Sequence, residues 1–135
     1  MARKPETVSA TCSAKPPLSA RVLLSVEEAD ALERTFKVLA NGTRLRLLHA
    51  LIARPGLSVT QLATAVAMSP QAVSNQLRSL VDKGILSNVR SGTNIHYRVV
   101  DPCIVSLLDQ GLCLTEDTWE RQSRTSSPPR HSSAG

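Results

Sequence analysis

Helix punctuation is what most constrains how this chain can fold. Ser25 and Glu28 form an S-x-x-E capping box. Behind it Val26, Ala29, Leu32, Phe36 and Leu39 recur at helical spacing, and the pattern stops at Asn41-Gly42. A second helix is expected from near Thr43, with Leu45, Leu48, Leu51 and Ile52 on one side, ending at Pro55-Gly56. Ser58 and Gln61 make another capping box, opening a short helix that turns Val59, Leu62 and Ala63 inward and ends at about Val66. Ser69-Pro70 starts the next helix with proline in its first position, and Gly84 stops it. Its apolar stripe is Val73, Leu77, Leu80 and Val81. Ile85 to Arg90 and Ile95 to Val100 have strand character around Ser91-Gly92-Thr93-Asn94, which predicts a hairpin. Asp101-Pro102 then begins a last helix running to about Arg121. The order is helix, helix, helix–turn–helix, hairpin, helix, a mainly α winged helix-turn-helix with an extra helix at each end.

At 135 residues the chain supports one domain. Residues 1–20 carry Pro5, Pro16 and Pro17 among Ser, Thr and Lys, and read as a flexible arm. Residues 21–122 are the expected DNA-binding and dimerisation domain, and 123–135 a disordered tail. Aromatics are 2% of the chain, so the core must be aliphatic, and stacking platforms for single-stranded nucleic acid are lacking. No apolar run is long enough for a bilayer. After Met1 the chain is polar and holds Pro5, unlike a secretory signal. The expected compartment is the cytoplasm, with no membrane partner. Three cysteines do not close a disulfide framework there.

Net charge is +5 and the pI is near 9.6, which suits a polyanionic partner without identifying one. The helix from Pro70 to Lys83 says more. Its outward residues are Gln71, Ser74, Asn75 and Arg78, with Gln76 beside them, and no acid appears before Asp82. An ordinary solvated helix would mix Glu and Lys at i and i+4. Amides can pair bidentately with adenine, and arginine with guanine or phosphate. The hairpin adds Arg90, Asn94 and Arg98 as backbone or minor-groove contacts. His96 reads as an ordinary exposed strand histidine. Thr43 and Arg44 open the second helix, where a phosphate would fit; a solvated Arg44 fits the sequence equally well. The expected partner is double-stranded operator DNA.

Cys103 and Cys113 lie on the last helix. Ten residues advance ~15 Å and leave the side chains roughly 80° apart. Thiolates sharing one ion need sulfurs within about 4 Å, so a single helix cannot bring these two together. Two copies packed antiparallel would set Cys103 of one protomer opposite Cys113 of its partner, twice by symmetry. The helix also carries Ile104, Val105, Leu107, Leu108, Leu112 and Leu114, apolar on more than one side, as a dimer helix would be. Gly111 would permit close approach. Such a thiol set selects a soft ion, and a trivalent metalloid such as antimony(III) or arsenic(III) can bind few thiolates. Cys12, on the arm, is a candidate third sulfur. No cofactor is required. A redox or persulfide sensor using the same thiols is an open alternative, as is a winged-helix protein-interaction module. No nucleophile–base constellation or phosphate loop points to an enzyme.

The stretch from Leu39 to Leu48, LANGTRLRLL, resembles the L-A-[DN]-x-T-R-x-x-I-L signature of the ArsR/SmtB metal-responsive repressors. Ser69 to Leu80 is similar to their recognition helix, S-x-x-x-V-S-x-H-L-x-x-L, and Gly84-Ile85-Leu86 with Gly92 to Arg98 to their wing. The chain departs from the family at two sensor sites. Where arsenic repressors of the best-known type carry C-V-C, it has Ser58-Val59-Thr60. Where zinc members carry D-x-H-x10-H-x-x-E, it has Asp101-Pro102-Cys103, then Leu114 and Asp117 at the second His and the Glu. Cys103 takes the first His position and Cys113 precedes the second by one. The resemblance implies a cross-subunit site in which zinc has given way to a thiophilic inducer, most like an antimonite- or organoarsenical-responsive member.

Overall fold

The computed structural model of the protein describes residues 15–126. A 3-10 turn at Leu18–Ala20 precedes α1 (Val26–Leu39), α2 (Gly42–Ala53), α3 (Val59–Val66), α4 (Pro70–Asp82), β1 (Leu86–Ser91), β2 (Asn94–Val99) and α5 (Pro102–Thr125). This is a winged helix-turn-helix with a helix added at each end. None of the described helices is long and apolar enough to cross a membrane.

Each helix start is made by a side chain that satisfies an otherwise orphaned backbone N–H. At α1 both bonds of the capping box form: Glu28 N donates to Ser25 Oγ at 3.1 Å, and Ser25 N to Glu28 Oε2 at 2.9 Å. Ser58 and Gln61 repeat the arrangement at α3. Asn41, read in the sequence as a stop signal, also caps α2 by accepting from Arg44 N. Ser69 caps α4 and Asp101 caps α5, each followed by proline in the first turn.

α3 has eight residues, too few to persist alone. It is held by burying Leu62, Ala63 and Val66 against Leu47, Leu48 and Leu51 of α2 and Val73, Leu77 and Leu80 of α4. Leu86, Tyr97 and Ile104 close the core from the wing and from α5. The hairpin register pairs Leu86 with Val99 and Ser91 with Asn94, leaving Gly92-Thr93 as a two-residue turn. Gly92 has φ +64, the positive value that the first turn position of a tight hairpin demands. The segment before α3 runs beside β2: Gly56 N donates to Tyr97 O, Tyr97 N to Leu57 O, and Ser58 bridges His96.

Several details differ from the sequence expectation. In α2 Leu47 is buried along with the expected Leu48 and Leu51, while Leu45 is exposed. That helix is apolar around more than half of its circumference, so periodicity alone does not choose the inward face. In α1 only Leu39 is buried; Val26, Leu32 and Phe36 are exposed, and their stripe faces away from the core. The strands begin and end one residue from the expected limits, and α5 continues to Thr125, across the expected boundary at residue 122. Ordered turn structure at Leu18–Ala20 falls within the expected arm.

The turn between α3 and α4 passes through Ala67 at φ +57 and ψ +49. A Cβ in this left-handed conformation costs on the order of 1 kcal/mol. Ala67→Gly is therefore expected to raise unfolding stability by about 0.5–1 kcal/mol in urea titration, relief of the Cβ outweighing the added chain entropy. A net loss would mean that the Ala67 methyl group contributes packing larger than its strain.

Candidate nucleic-acid interface and cysteine helix

α4 presents three kinds of surface. Val73, Leu77 and Leu80 are completely buried. On the opposite side Gln71, Asn75 and Arg78 are exposed, with Ser74 half-buried beside them. Gln71 Nε2 donates to Asn75 Oδ1 at 3.1 Å, one helical turn apart, which orients the two amides along a common line. This strip carries hydrogen-bonding groups and one fixed positive charge, with no carboxylate until Asp82.

Gln76 lies on the flank between these surfaces, half-buried. Its Oε1 accepts from Arg44 Nε at 2.8 Å. Arg44 is half-buried and bonded on all three guanidinium nitrogens, so it is not the solvated side chain that the sequence also allowed. Thr43 is half-buried in the first turn of α2.

The wing register puts Arg90 opposite Ile95 and Arg98 opposite Ser87. Side chains alternate across a strand, so Arg98 shares a face with His96 and Asn94, whereas Arg90 projects on the face of Ile95 and Tyr97. Both arginines are exposed. They cannot lie side by side on one phosphate run; they flank the wing. His96 corrects the sequence expectation of an exposed histidine. It is half-buried, and its Nδ1 is hydrogen-bonded to the Gly56 carbonyl. The ring ties the wing to the segment that leads into α3. Nothing in the strand pattern pointed to this, because the partner is forty positions away.

On α5, Cys103 sits in the first turn, half-buried, its backbone N–H donating to Asp101 Oδ1 at 2.8 Å. Its sulfur is in a disulfide. Cys113 is a free, exposed thiol, its Sγ 3.9 Å from Asp117 Oδ2. The two helix cysteines therefore do not bond to each other within one chain. Cys12 lies outside the described residues. Among the described residues, no three His, Cys, Asp or Glu side chains gather to hold a metal ion. Beyond Ile104, α5 leaves the core: Leu107 and Leu108 pack on its margin, while Leu112, Leu114 and Trp119 are exposed. With Val26, Leu32 and Phe36 of α1 and Leu18, Val22 and Leu23 before it, they make up an unusual amount of exposed apolar surface for a chain this small.

Residues 39–89, from the end of α1 into β1, match a family described as a helix-turn-helix domain. Among curated proteins, the transcriptional regulator NmtR of Mycobacterium tuberculosis is 36% identical over 112 residues, spanning 83% of this chain and 88% of that one. A transcriptional repressor SmtB homolog of Synechocystis is 38% identical over 85 residues, 63% of this chain and 64% of that one. Among solved structures, the antimony-specific transcriptional repressor AntR is 57% identical, with a TM-score of 0.70 over 81% of this chain and 98% of that one. The chain belongs to the ArsR/SmtB family. It is a transcriptional repressor and not an enzyme, as its relatives are. A homodimeric winged helix-turn-helix domain from Mycobacterium bovis, a possible ArsR-family regulator, is 29% identical with a TM-score of 0.60 over 72% of this chain and 92% of that one.

Because Asn75 and Arg78 project from α4 without core contacts, Asn75→Ala and Arg78→Ala are expected to shift unfolding stability by no more than about 0.5 kcal/mol. Thermal melts followed by circular dichroism check this. A loss above about 2 kcal/mol in either variant would place that side chain in the packing instead of on a reading surface.

Proposed function

We propose that this protein is a cytoplasmic, homodimeric repressor that reads operator DNA with α4 and lets go when a trivalent antimony or arsenic species binds cysteines shared between subunits. The observation that carries the sensing half is the placement of Cys113. It is a free, exposed thiol on α5, beside Asp117, that no described part of the chain covers.

DNA reading would fall to Gln71, Ser74, Asn75 and Arg78 at base edges, with Thr43, Arg90 and Arg98 on the backbone. The exposed faces of α1 and α5 would pair with a second copy, as the M. bovis neighbour's homodimeric state suggests. An isologous contact through antiparallel α5 helices would bring Cys103 toward Cys113 of the partner subunit. Binding would first require a cellular thiol to reduce the Cys103 disulfide; each thiol would then give its proton to a hydroxide leaving the metalloid as the sulfur–metalloid bond forms. The donor set fits such a guest: soft sulfur, with no cluster among the described residues that would complete a tetrahedral zinc site. Likeness to an antimony-specific repressor points the same way. The ligand acts only through unequal affinity for two dimer geometries, one of which spaces the α4 helices for adjacent major grooves.

The test uses the full chain and a duplex selected by it from random sequence. Wild type is expected to bind with strong salt dependence and to release on adding antimonite. Asn75→Ala and Arg78→Ala should each weaken binding by about 1–3 kcal/mol. Cys103→Ser and Cys113→Ser should hold DNA but need at least about tenfold more antimonite for release. Release unchanged in both variants would refute the shared-thiol site. A titration panel of arsenite, methylarsenite, cadmium, zinc and persulfide ranks the inducers.

The disulfide at Cys103 also supports a second reading, a thiol-redox sensor of the same fold. Release by peroxide or persulfide, accompanied by an oxidised or bridged cysteine in the intact mass, would favour it over metalloid binding.

A further inference from the structure

We infer that Arg44 is a positioning residue that sets the recognition helix for base reading, and not a phosphate contact. The inference rests on the DNA-binding reading above. It starts from where the guanidinium goes. Arg44 is in the first turn of α2, with its backbone N–H held by Asn41 Oδ1 at 3.0 Å. Its Nε donates to Gln76 Oε1 at 2.8 Å and its Nη2 to Ser79 Oγ at 3.2 Å, both on α4. Its Nη1 donates to the Val38 carbonyl at 3.0 Å, in the last turn of α1.

One planar cation thus joins three helices. Gln76 and Ser79 are three residues apart, so they stack on one flank of α4. Fixing that flank fixes the rotation of the helix about its axis, and with it the direction of Gln71, Asn75 and Arg78 on the other side. The apolar stripe limits rotation only loosely, since leucine and valine contacts are non-directional. Directional bonds to a rigid fork supply what the core does not. The third bond meets one of the carbonyls left without a partner at the end of α1, where a cation also suits the helix dipole. Lysine could not replace this group, because a compact ammonium cannot span acceptors on two sides in a fixed plane.

The experiment measures binding of the full chain to the selected duplex and to a scrambled one across a range of salt. Arg44→Met and Gln76→Met are each expected to weaken the selected duplex by about tenfold or more while leaving the scrambled one within about twofold. The salt slope should stay unchanged. The double variant should bind no worse than the weaker single, because both remove the same link. Arg44→Lys should not restore reading. If Arg44→Met instead weakens both duplexes equally, lowers the salt slope by about 1 and is rescued by Lys, Arg44 is a phosphate contact and the inference fails. Should Arg44→Met not fold, Gln76→Met with Ser79→Ala decides: the same selective loss supports the brace, and unchanged selectivity overturns it. Wild type that does not discriminate between the duplexes defeats the DNA reading and this inference together; discrimination by wild type with the phosphate pattern in the variants defeats this inference alone.

Discussion

Burial of the leucines shared by α2, α3 and α4 is the constraint on which the rest depends. Leu47, Leu48, Leu51, Leu62, Leu77 and Leu80 are at most 1% exposed and form one contiguous core. α3 has eight residues and cannot exist without it. The polar strip of α4 faces outward only because the opposite side of the helix is locked in that core. Non-directional packing sets the depth of α4, and polar links then add direction: Arg44 to Gln76 and Ser79 on one side, His96 to Gly56 beneath the wing.

The part of the molecule proposed to sense the inducer is built differently. α5 is anchored by its first two turns, through the Asp101 cap, Ile104, Leu107 and Leu108, and then carries Cys113 away from the core as an exposed thiol beside Asp117. Cys113 is therefore decoupled from the monomer's own stability, and chemistry there need not unfold the domain. Under the proposed function, a guest bound at this surface would change how two copies meet, and the distance between the two α4 helices would follow from that meeting. The exposed stripe on α1 belongs to the same logic. The last turn of α1 also receives the Arg44 bond, so the helix proposed to meet a partner is tied to the helix proposed to read DNA.

Much of this was legible in the chain. Capping boxes, proline in first turns and glycine stops predicted all five helices and the hairpin in order, because these signals are local and act within a few residues. The polar outward strip of α4 was legible too, since an outward face without acids is a property of one helix. Leu45 and Leu47 were not separable, because α2 is apolar on both candidate faces. The roles of Arg44 and His96 were hidden for another reason: their partners lie 32, 35 and 40 positions away, and no local pattern encodes such a contact.

By itself, then, the sequence determined the element order, the helix limits to within a few residues, the polar face of α4 and the inability of Cys103 and Cys113 to meet on one helix. All of these follow from backbone periodicity and neighbouring side chains. Tertiary structure alone decided which side of α2 is inward, that α1 and the far end of α5 stay outside the core, and that Gln76 and Arg44 face each other. Those depend on which surfaces meet across long stretches of chain, where packing energy selects among faces that local chemistry leaves equivalent.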